Sequence, residues 1–176
     1  MTVKTGAFTL HRRLSVGTDI TVDYRLTGPP GAAFVWAFHA LLRPDVGSRI
    51  VADATLSRIW AEDGQPVDDH WPVIAGRPGG DVLGPDDGSA VFCVLPQLHG
   101  VSVQQGDARL RLDCDEAPVS FGIWRNLGGF PASGLRYRSF GIEPMLGRAP
   151  TVLPATSGEA ALVPASGELA WRLVIS

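Results

Sequence analysis

Hydrophobic and polar residues alternate with a period of two along much of the chain. From Asp19 to Leu26 every second side chain is apolar or aromatic, and the side chains between them are polar. The segment from Leu169 to Ile175 repeats the pattern with bulky residues at every second position. Such alternation is typical of half-buried antiparallel strands. Shorter segments predict further strands at Phe8–Leu14, Ala108–Leu112, Val119–Trp124, Tyr137–Ile142 and Glu159–Val163.

Turn-forming residues separate these segments, and the chain contains 21 glycines and 14 prolines. This composition disfavours a helical bundle and predicts an all-β, antiparallel fold. The segment Ser48–Asp63 leaves two interpretations open, because its apolar residues also fit a short amphipathic helix. The stretch from Asp63 to Gly88 is rich in Gly, Pro and Asp, and we expect it to form a long surface excursion.

Length and charge limit the number of domains and the classes of function that we expect. With 176 residues, 45% of them hydrophobic, the chain is expected to form one domain over residues 1–176. Its 15 basic and 18 acidic side chains give a net charge of −3, which does not indicate binding to nucleic acid or to an anionic membrane. No apolar run reaches the roughly 20 residues of a membrane span. The opening residues lack the apolar segment of a secretory signal, so we expect a cytoplasmic protein.

Metal and thiol chemistry are not indicated. The four histidines are scattered without the spacing of metal ligands: His11, His39, His70 and His99. Cys93 lies in an apolar run, which favours a buried, inert thiol over a disulfide with Cys114. We therefore predict no metal site.

Two segments are candidates for acid–base chemistry. His39 is the one ionisable residue in the apolar and aromatic run Phe34–Leu42, and Glu143 precedes Pro144 at the end of a predicted strand. Proline disfavours the helical conformation at the residue before it and lacks a backbone donor, so we expect the strand to end there with Glu143 on a rim. If both side chains converged on one sheet face, the carboxylate could act as general base and the imidazole as general acid. The alternative is a hydrogen-bonded core histidine and a solvated glutamate.

Further candidates lie in the same part of the chain. Trp124 could stack on a sugar ring while Asn126 binds a hydroxyl group, or they could be a core tryptophan and a turn asparagine. Arg136 and Arg138 flank Tyr137 and could hold a phosphate, although two arginines on one strand are commonly solvated.

Three motifs in the last third of the chain occur in a recognisable order. They are G-I-W-R-N-L-G-G at residues 122–129, I-E-P-M-L-G at 142–147 and P-A-S-G-E at 164–168, which precedes a strand containing Trp171. Together with the histidine-containing run, this succession resembles the galactose mutarotase-like (aldose 1-epimerase) superfamily. The resemblance covers most of the chain from about Phe8 onward.

The resemblance implies an antiparallel β-sandwich that binds a small-molecule sugar across its concave sheet. It implies that Glu143 removes the proton of the anomeric hydroxyl and that His39 protonates the ring oxygen, with no metal or organic cofactor. The substrate-binding candidates are Trp124 and Asn126. Complete mutarotases are longer and carry an additional N-terminal portion, so we expect an exposed sheet edge that a homodimer could cover. A non-catalytic carbohydrate-binding or assembly module of the same fold, or an incomplete chain that needs a partner, is the alternative.

Overall fold

The fold is known from a computed structural model, which describes residues 1–60, 65–115, 119–135, 137–150 and 158–176. In these ranges the regular structure is entirely β, in sixteen strands. In chain order they are β1 (Thr2–Thr5), β2 (Phe8–Val16), β3 (Ile20–Thr27), β4 (Ala33–Phe34), β5 (Trp36–Ala37), β6 (Ala40–Leu42), β7 (Arg49–Ala52), β8 (Leu56–Trp60), β9 (Pro66–His70), β10 (Ser89–Pro96), β11 (Gly100–Gln105), β12 (Ala108–Cys114), β13 (Val119–Leu127), β14 (Arg138–Leu146), β15 (Ala161–Leu162) and β16 (Glu168–Ile175).

The strands form two large antiparallel sheets. The first has the order β1-β2-β3-β16-β12-β11-β7. The second has the order β5-β14-β13-β10-β8-β9, with β6 also pairing with β14 beside β5. The short strands β4 and β15 pair with each other. The predicted all-β, antiparallel fold is confirmed.

The hydrophobic core lies between the two sheets. Alternate residues of the first sheet point into it, among them Val22, Leu112 and Leu173. The second sheet contributes a matching set of fully buried side chains: Cys93, Leu95, Phe121, Ile123, Phe140 and Ile142. Trp36, beside β14, packs edge-on against Tyr24 and Trp171 of the first sheet, with ring centroids 4.7 and 4.9 Å apart. The period of two in the sequence therefore marks the core face of each sheet.

The two uncertain segments of the sequence form strands. Ser48–Asp63, for which a helix was one interpretation, contains β7 and β8 as far as residue 60; residues 61–64 lie outside the described ranges. The surface excursion expected before Gly88 contains β9, which pairs with β8. Glu159–Val163 contributes only the two residues of β15 to a strand pair.

The prediction that the strand ends at Pro144 is wrong, since β14 continues to Leu146. In an antiparallel ladder the N–H and C=O groups of one residue point to the same neighbouring strand. The carbonyl oxygen of Pro144 accepts a hydrogen bond from the Phe38 N–H, so the missing N–H of Pro144 also points toward the edge, where β5 and β6 lie. The pairing of β14 with β13 loses no hydrogen bond, and Glu143 lies inside the sheet rather than on a rim.

Cys93 and Cys114 are both buried and no disulfide joins them, so the predicted burial of Cys93 is confirmed. Burial raises the pKa of the Cys93 thiol to about 12. Within the described ranges no helix is long and apolar enough to cross a membrane.

The strands at the ends of the sheets are β1 and β7 in the first sheet, and β9 and the β5–β6 edge in the second. A homodimer that covers one of these edges stays a prediction.

Candidate functional site

His39 and Glu143 are brought together by the pairing of β14 with the two short edge strands. Ala40 lies opposite Ile142, and Ala37 lies opposite Met145. The same register places His39 directly opposite Glu143, and directly opposite residues of an antiparallel pair share a face. The imidazole Nδ1 lies 2.8 Å from Oε2 of the Glu143 carboxylate.

The two partners differ sharply in exposure. The Glu143 side chain is 6% exposed, whereas the His39 side chain is 69% exposed. The carboxylate is thus held within the sheet surface and the imidazole lies over it, open to solvent. A buried carboxylate is costly unless it is hydrogen-bonded or paired with a cation, and the imidazole meets that need when it is protonated. The contact joins Nδ1 to Oε2 and does not involve the other polar atom of each side chain, Nε2 of His39 and Oε1 of Glu143.

A cavity of about 580 Å³ opens over this pair. Its volume is within the range of small-molecule sites. The described residues that line it are apolar or aromatic apart from His39 and Glu143: Val35, Ala37, Phe92, Trp124, Met145 and Pro150. A carboxylate and an imidazole in an apolar, aromatic wall form an arrangement suited to a ligand with a non-polar face and a hydroxyl group.

Two glycines make room for the site. Gly122 lies opposite Glu143, and a Cβ there would meet the Phe92 ring at 2.8 Å. Gly141 lies opposite Trp124, and a Cβ there would stand 3.0 Å from Oε1 of Glu143 and 3.1 Å from the Trp124 Cβ. The ring of Phe92 and the carboxylate of Glu143 therefore occupy the space that a side chain at position 122 or 141 would need.

Trp124 lines the cavity, as its predicted stacking role requires. Its Nε1 donates to the Ser139 hydroxyl at 3.1 Å, and its ring meets the Phe130 ring edge-on with centroids 5.7 Å apart. These two contacts fix the indole orientation, and the ring is partly exposed. Contact between Trp124 and a sugar stays a prediction.

Asn126 lies near the end of β13, and its side chain holds the turn that follows, which agrees more closely with the alternative interpretation of a turn asparagine. Its side-chain nitrogen donates to the carbonyl oxygens of Phe130 and Tyr137, both at 2.9 Å. Its side-chain oxygen accepts from the N–H groups of Gly129 and Phe130. The residue is fully buried and its amide is saturated by the backbone, so it has no free group for a hydroxyl. This geometry does not support the predicted sugar contact.

Arg138, one of the two arginines considered for phosphate binding, does not line the cavity above Glu143. Arg138 forms an ion pair with Asp86 at 2.8 Å, and Arg136 lies outside the described residues. In the described part of the chain, no three His, Cys, Asp or Glu residues are grouped to hold a metal ion.

A charged cluster lies on the same face of the second sheet, three strands away from Glu143. The cross-strand pairs run from Asp68 through Arg58, Val94 and Gly122 to Glu143. Arg58 donates two hydrogen bonds to Asp68, at 2.6 and 2.8 Å, and one to Glu159 at 2.8 Å. These bonds lower the pKa of the Asp68 carboxyl and raise that of the guanidinium. The cluster ties the outer strands of the sheet to the segment before β15.

Sequence reasoning did not find Phe92, Met145 or the two glycines. The alternation does place Phe92 on the same face of β10 as Val94, and Met145 on the same face of β14 as Glu143. Assigning them to the site requires the cross-strand register, which the sequence alone does not supply.

The two sheets and the paired His39 and Glu143 on one of them define an antiparallel β-sandwich with a cavity on one sheet. The fold is similar to that of a protein of Escherichia coli K12 assigned as an aldose 1-epimerase, with a TM-score of 0.73, 14% identity and coverage of 99% of this chain and 62% of that one. It is also similar to a galactose mutarotase-like protein from Lactobacillus casei ATCC 334, with a TM-score of 0.55, 14% identity and coverage of 96% of this chain and 63% of that one.

The chain therefore has the galactose mutarotase-like fold, as the resemblance in its sequence implied. It spans less than two thirds of the length of both solved structures. No family model and no curated protein matches the sequence.

Proposed function

We propose that this protein binds an aldose in the cavity above Glu143 and interconverts its anomers. The observation that carries the proposal is the contact of 2.8 Å between His39 and Glu143 at an apolar cavity lined by Trp124. The aldose 1-epimerase assignment of the Escherichia coli protein with this fold supports the reaction class.

In the proposed reaction one polar atom of each residue acts on the sugar. Oε1 of Glu143 accepts the proton of the anomeric hydroxyl, while the bond between C1 and the ring oxygen breaks. The electron pair of that bond moves to the ring oxygen, which takes a proton from Nε2 of the His39 imidazolium. The product is the open-chain aldehyde, so general base and general acid act in the same step.

Reclosure reverses both proton transfers. Rotation about the C1–C2 bond presents the other face of the aldehyde to the hydroxyl that had been the ring oxygen. This hydroxyl attacks C1 and returns its proton to His39, while Glu143 protonates the carbonyl oxygen. Atoms and charge balance over the cycle. The contact between Nδ1 and Oε2 holds the imidazole in one orientation throughout.

The aromatic lining supports a sugar ligand. A pyranose presents a face of C–H groups that packs against an indole ring, and Trp124 is held in a fixed orientation by Ser139 and Phe130. The apolar wall also limits access of water to the buried carboxylate, which strengthens its interaction with the hydroxyl.

Anomer exchange measured by NMR on a panel of aldohexoses tests the proposal. We expect accelerated exchange with the intact protein and a loss of about 10²–10⁴-fold in Glu143→Gln, in line with general acid–base catalysis. Glu168→Gln and His70→Asn are matched controls, since both residues are exposed and lie outside the cavity. They should exchange anomers at the rate of the intact protein.

Three other outcomes would change the conclusion. Sugar binding that quenches tryptophan fluorescence, without accelerated exchange, would support the non-catalytic carbohydrate-binding module. If the folded protein neither binds a sugar nor accelerates anomer exchange, both functions are contradicted. Exchange that persists in Glu143→Gln would move the general base to another residue.

A further inference from the structure

We infer that Pro144 is a positioning residue for His39, because its missing N–H interrupts the edge strand and creates the turn that holds the imidazole against Glu143. The inference concerns the same site as the proposed function and rests on it only for its effect on catalysis. Its structural part can be tested whether or not the protein exchanges anomers.

The interruption of the edge strand lies opposite Pro144. Strands β5 and β6 both pair with β14, and they keep one register on either side of the gap. Continuing that register across the gap places Phe38 opposite Pro144 and His39 opposite Glu143. The two short strands are therefore one edge strand, broken at the two residues that face the Glu143–Pro144 peptide.

The break follows from the direction of the Pro144 backbone. The Phe38 N–H donates to the Pro144 carbonyl oxygen at 3.0 Å, so this pair is of the hydrogen-bonded type, in which both residues normally exchange N–H···O bonds. Pro144 supplies the acceptor but has no N–H for the return bond. The carbonyl oxygen of Phe38 thereby loses its partner on β14.

The carbonyl oxygen of Phe38 finds another donor within its own strand. It accepts the N–H of Ala40 at 3.1 Å, and a bond between residues two apart defines a γ-turn centred on His39. His39 keeps a negative φ, which is the conformation of the common, unstrained inverse form. His39 is thus the central residue of a three-residue turn rather than an ordinary strand residue.

The turn is held on both sides. Phe38 is bonded to Pro144 before it, and Ala40 lies opposite Ile142 after it, so the turn cannot slide along β14. In this position the imidazole Nδ1 reaches Oε2 of Glu143, the residue directly before the proline. The Glu143–Pro144 dipeptide therefore supplies both the carboxylate and the backbone defect that brings the imidazole to it.

The substitution Pro144→Ala restores the N–H and tests the inference. We expect the new amide at position 144 to donate to the Phe38 carbonyl, to be protected from hydrogen exchange, and to convert β5 and β6 into a continuous strand. Long-range ¹H–¹⁵N NMR spectra of the His39 ring, assigned by the loss of signals in His39→Asn, should show a changed Nδ1 shift and tautomer population. If the intact protein exchanges anomers, kcat should fall at least tenfold with little change in KM.

Pro96→Ala is the matched control, since Pro96 lies in β10 of the same sheet and not opposite the edge strand. It should leave the His39 spectrum unchanged. Pro144→Val is a second variant with a side chain of similar size that favours strands, in case the alanine variant does not fold.

An unprotected amide at position 144 and an unaltered His39 spectrum in a folded variant would overturn the inference. If the intact protein exchanges anomers while the spectra of both Pro144 variants stay unchanged, the proposed function stands and the inference fails. If the intact protein does not exchange anomers while those spectra do change, the inference stands and the function fails.

Discussion

Gly141 and Glu143 face the same side of β14, and a Cβ on Gly141 would lie 3.0 Å from Oε1 of Glu143. That distance is shorter than an ordinary van der Waals contact, and the same Cβ would stand 3.1 Å from the Cβ of Trp124. The carboxylate thus takes the space that a side chain at position 141 would need. The position of Oε1, the atom proposed to accept the proton of the anomeric hydroxyl, therefore depends on the absence of that side chain.

Gly141→Ala should lower kcat/KM for anomer exchange by about tenfold or more, which corresponds to about 1.4 kcal/mol. The added methyl group has to push the carboxylate away by a few tenths of an ångström, and small misplacements of reacting groups are costly. NMR exchange rates at several sugar concentrations measure the effect. Gly84→Ala is the control, because a Cβ at Gly84 meets no atom within 4 Å. An unchanged kcat/KM in Gly141→Ala would show that Oε1 does not contact the reacting atoms.

Asn126→Ala should destabilise the protein by about 2–4 kcal/mol, because it removes four part-buried hydrogen bonds to the backbone. Two carbonyl oxygens and two N–H groups in the turn now bond to the Asn126 amide. Urea unfolding measures the loss of stability. If Asn126 bound a sugar hydroxyl instead, the substitution would raise KM and leave the free energy of unfolding unchanged.

Asp68→Asn should destabilise the protein by about 1 kcal/mol at pH 7, the range of partly exposed ion pairs. The Arg58 guanidinium lowers the pKa of the Asp68 carboxyl below its ordinary value of 3.8. A carboxyl whose pKa is lower in the folded state stabilises the fold above the unfolded value, and this stabilisation is lost as the pH falls through the folded value. The difference between Asp68→Asn and the intact protein should therefore shrink below pH 3.8.

Urea unfolding from pH 7 down to about pH 2 measures that difference. Asp19→Asn is a suitable control, because Asp19 is exposed and lies beside β3 of the other sheet, away from the Arg58 cluster. If the difference in unfolding free energy between Asp68→Asn and the intact protein stayed constant through the acid range, the stabilisation by Asp68 would not depend on the charge of its carboxylate.

The strands could be predicted from the sequence because the alternation of side chains directly records one buried face per sheet. The contact between His39 and Glu143 could not be predicted in this way. The two residues are far apart in the sequence, and they meet through two edge strands of two and three residues that carry too few positions to show a period. The resemblance to a family supplied the pairing that the pattern could not.

Pro144 and Asn126 show the limits of rules that concern single residues. The missing donor of proline ends a strand only when its N–H points toward a paired neighbour, and here it points to the interrupted edge. For Asn126, the local signal was its spacing of three and four residues from Gly129 and Phe130, since an asparagine side chain readily bonds to nearby backbone N–H groups. Both outcomes depend on the direction of a backbone group, which composition does not record.

The site should prefer neutral aldoses to sugar phosphates. Among the described residues that line the cavity, His39 is the one side chain that can carry a positive charge, and its proton is needed at the ring oxygen. Arg138 is held by Asp86 at 2.8 Å, so recruiting it to a phosphate would break an existing ion pair. A phosphate would also lie near the Glu143 carboxylate without a compensating cation, which costs free energy in an apolar cavity.

We therefore expect anomer exchange of glucose to be accelerated at least tenfold more than that of glucose 6-phosphate, in NMR measurements at equal ionic strength. Asp86→Asn sharpens the comparison, because it releases Arg138 from its ion pair while leaving His39 and Glu143 in place. If the cavity takes neutral sugars, this variant should leave the rate with glucose unchanged. A faster reaction with glucose 6-phosphate, reduced by Arg138→Ala, would instead place the phosphate against Arg138 and reverse the assignment of the substrate class.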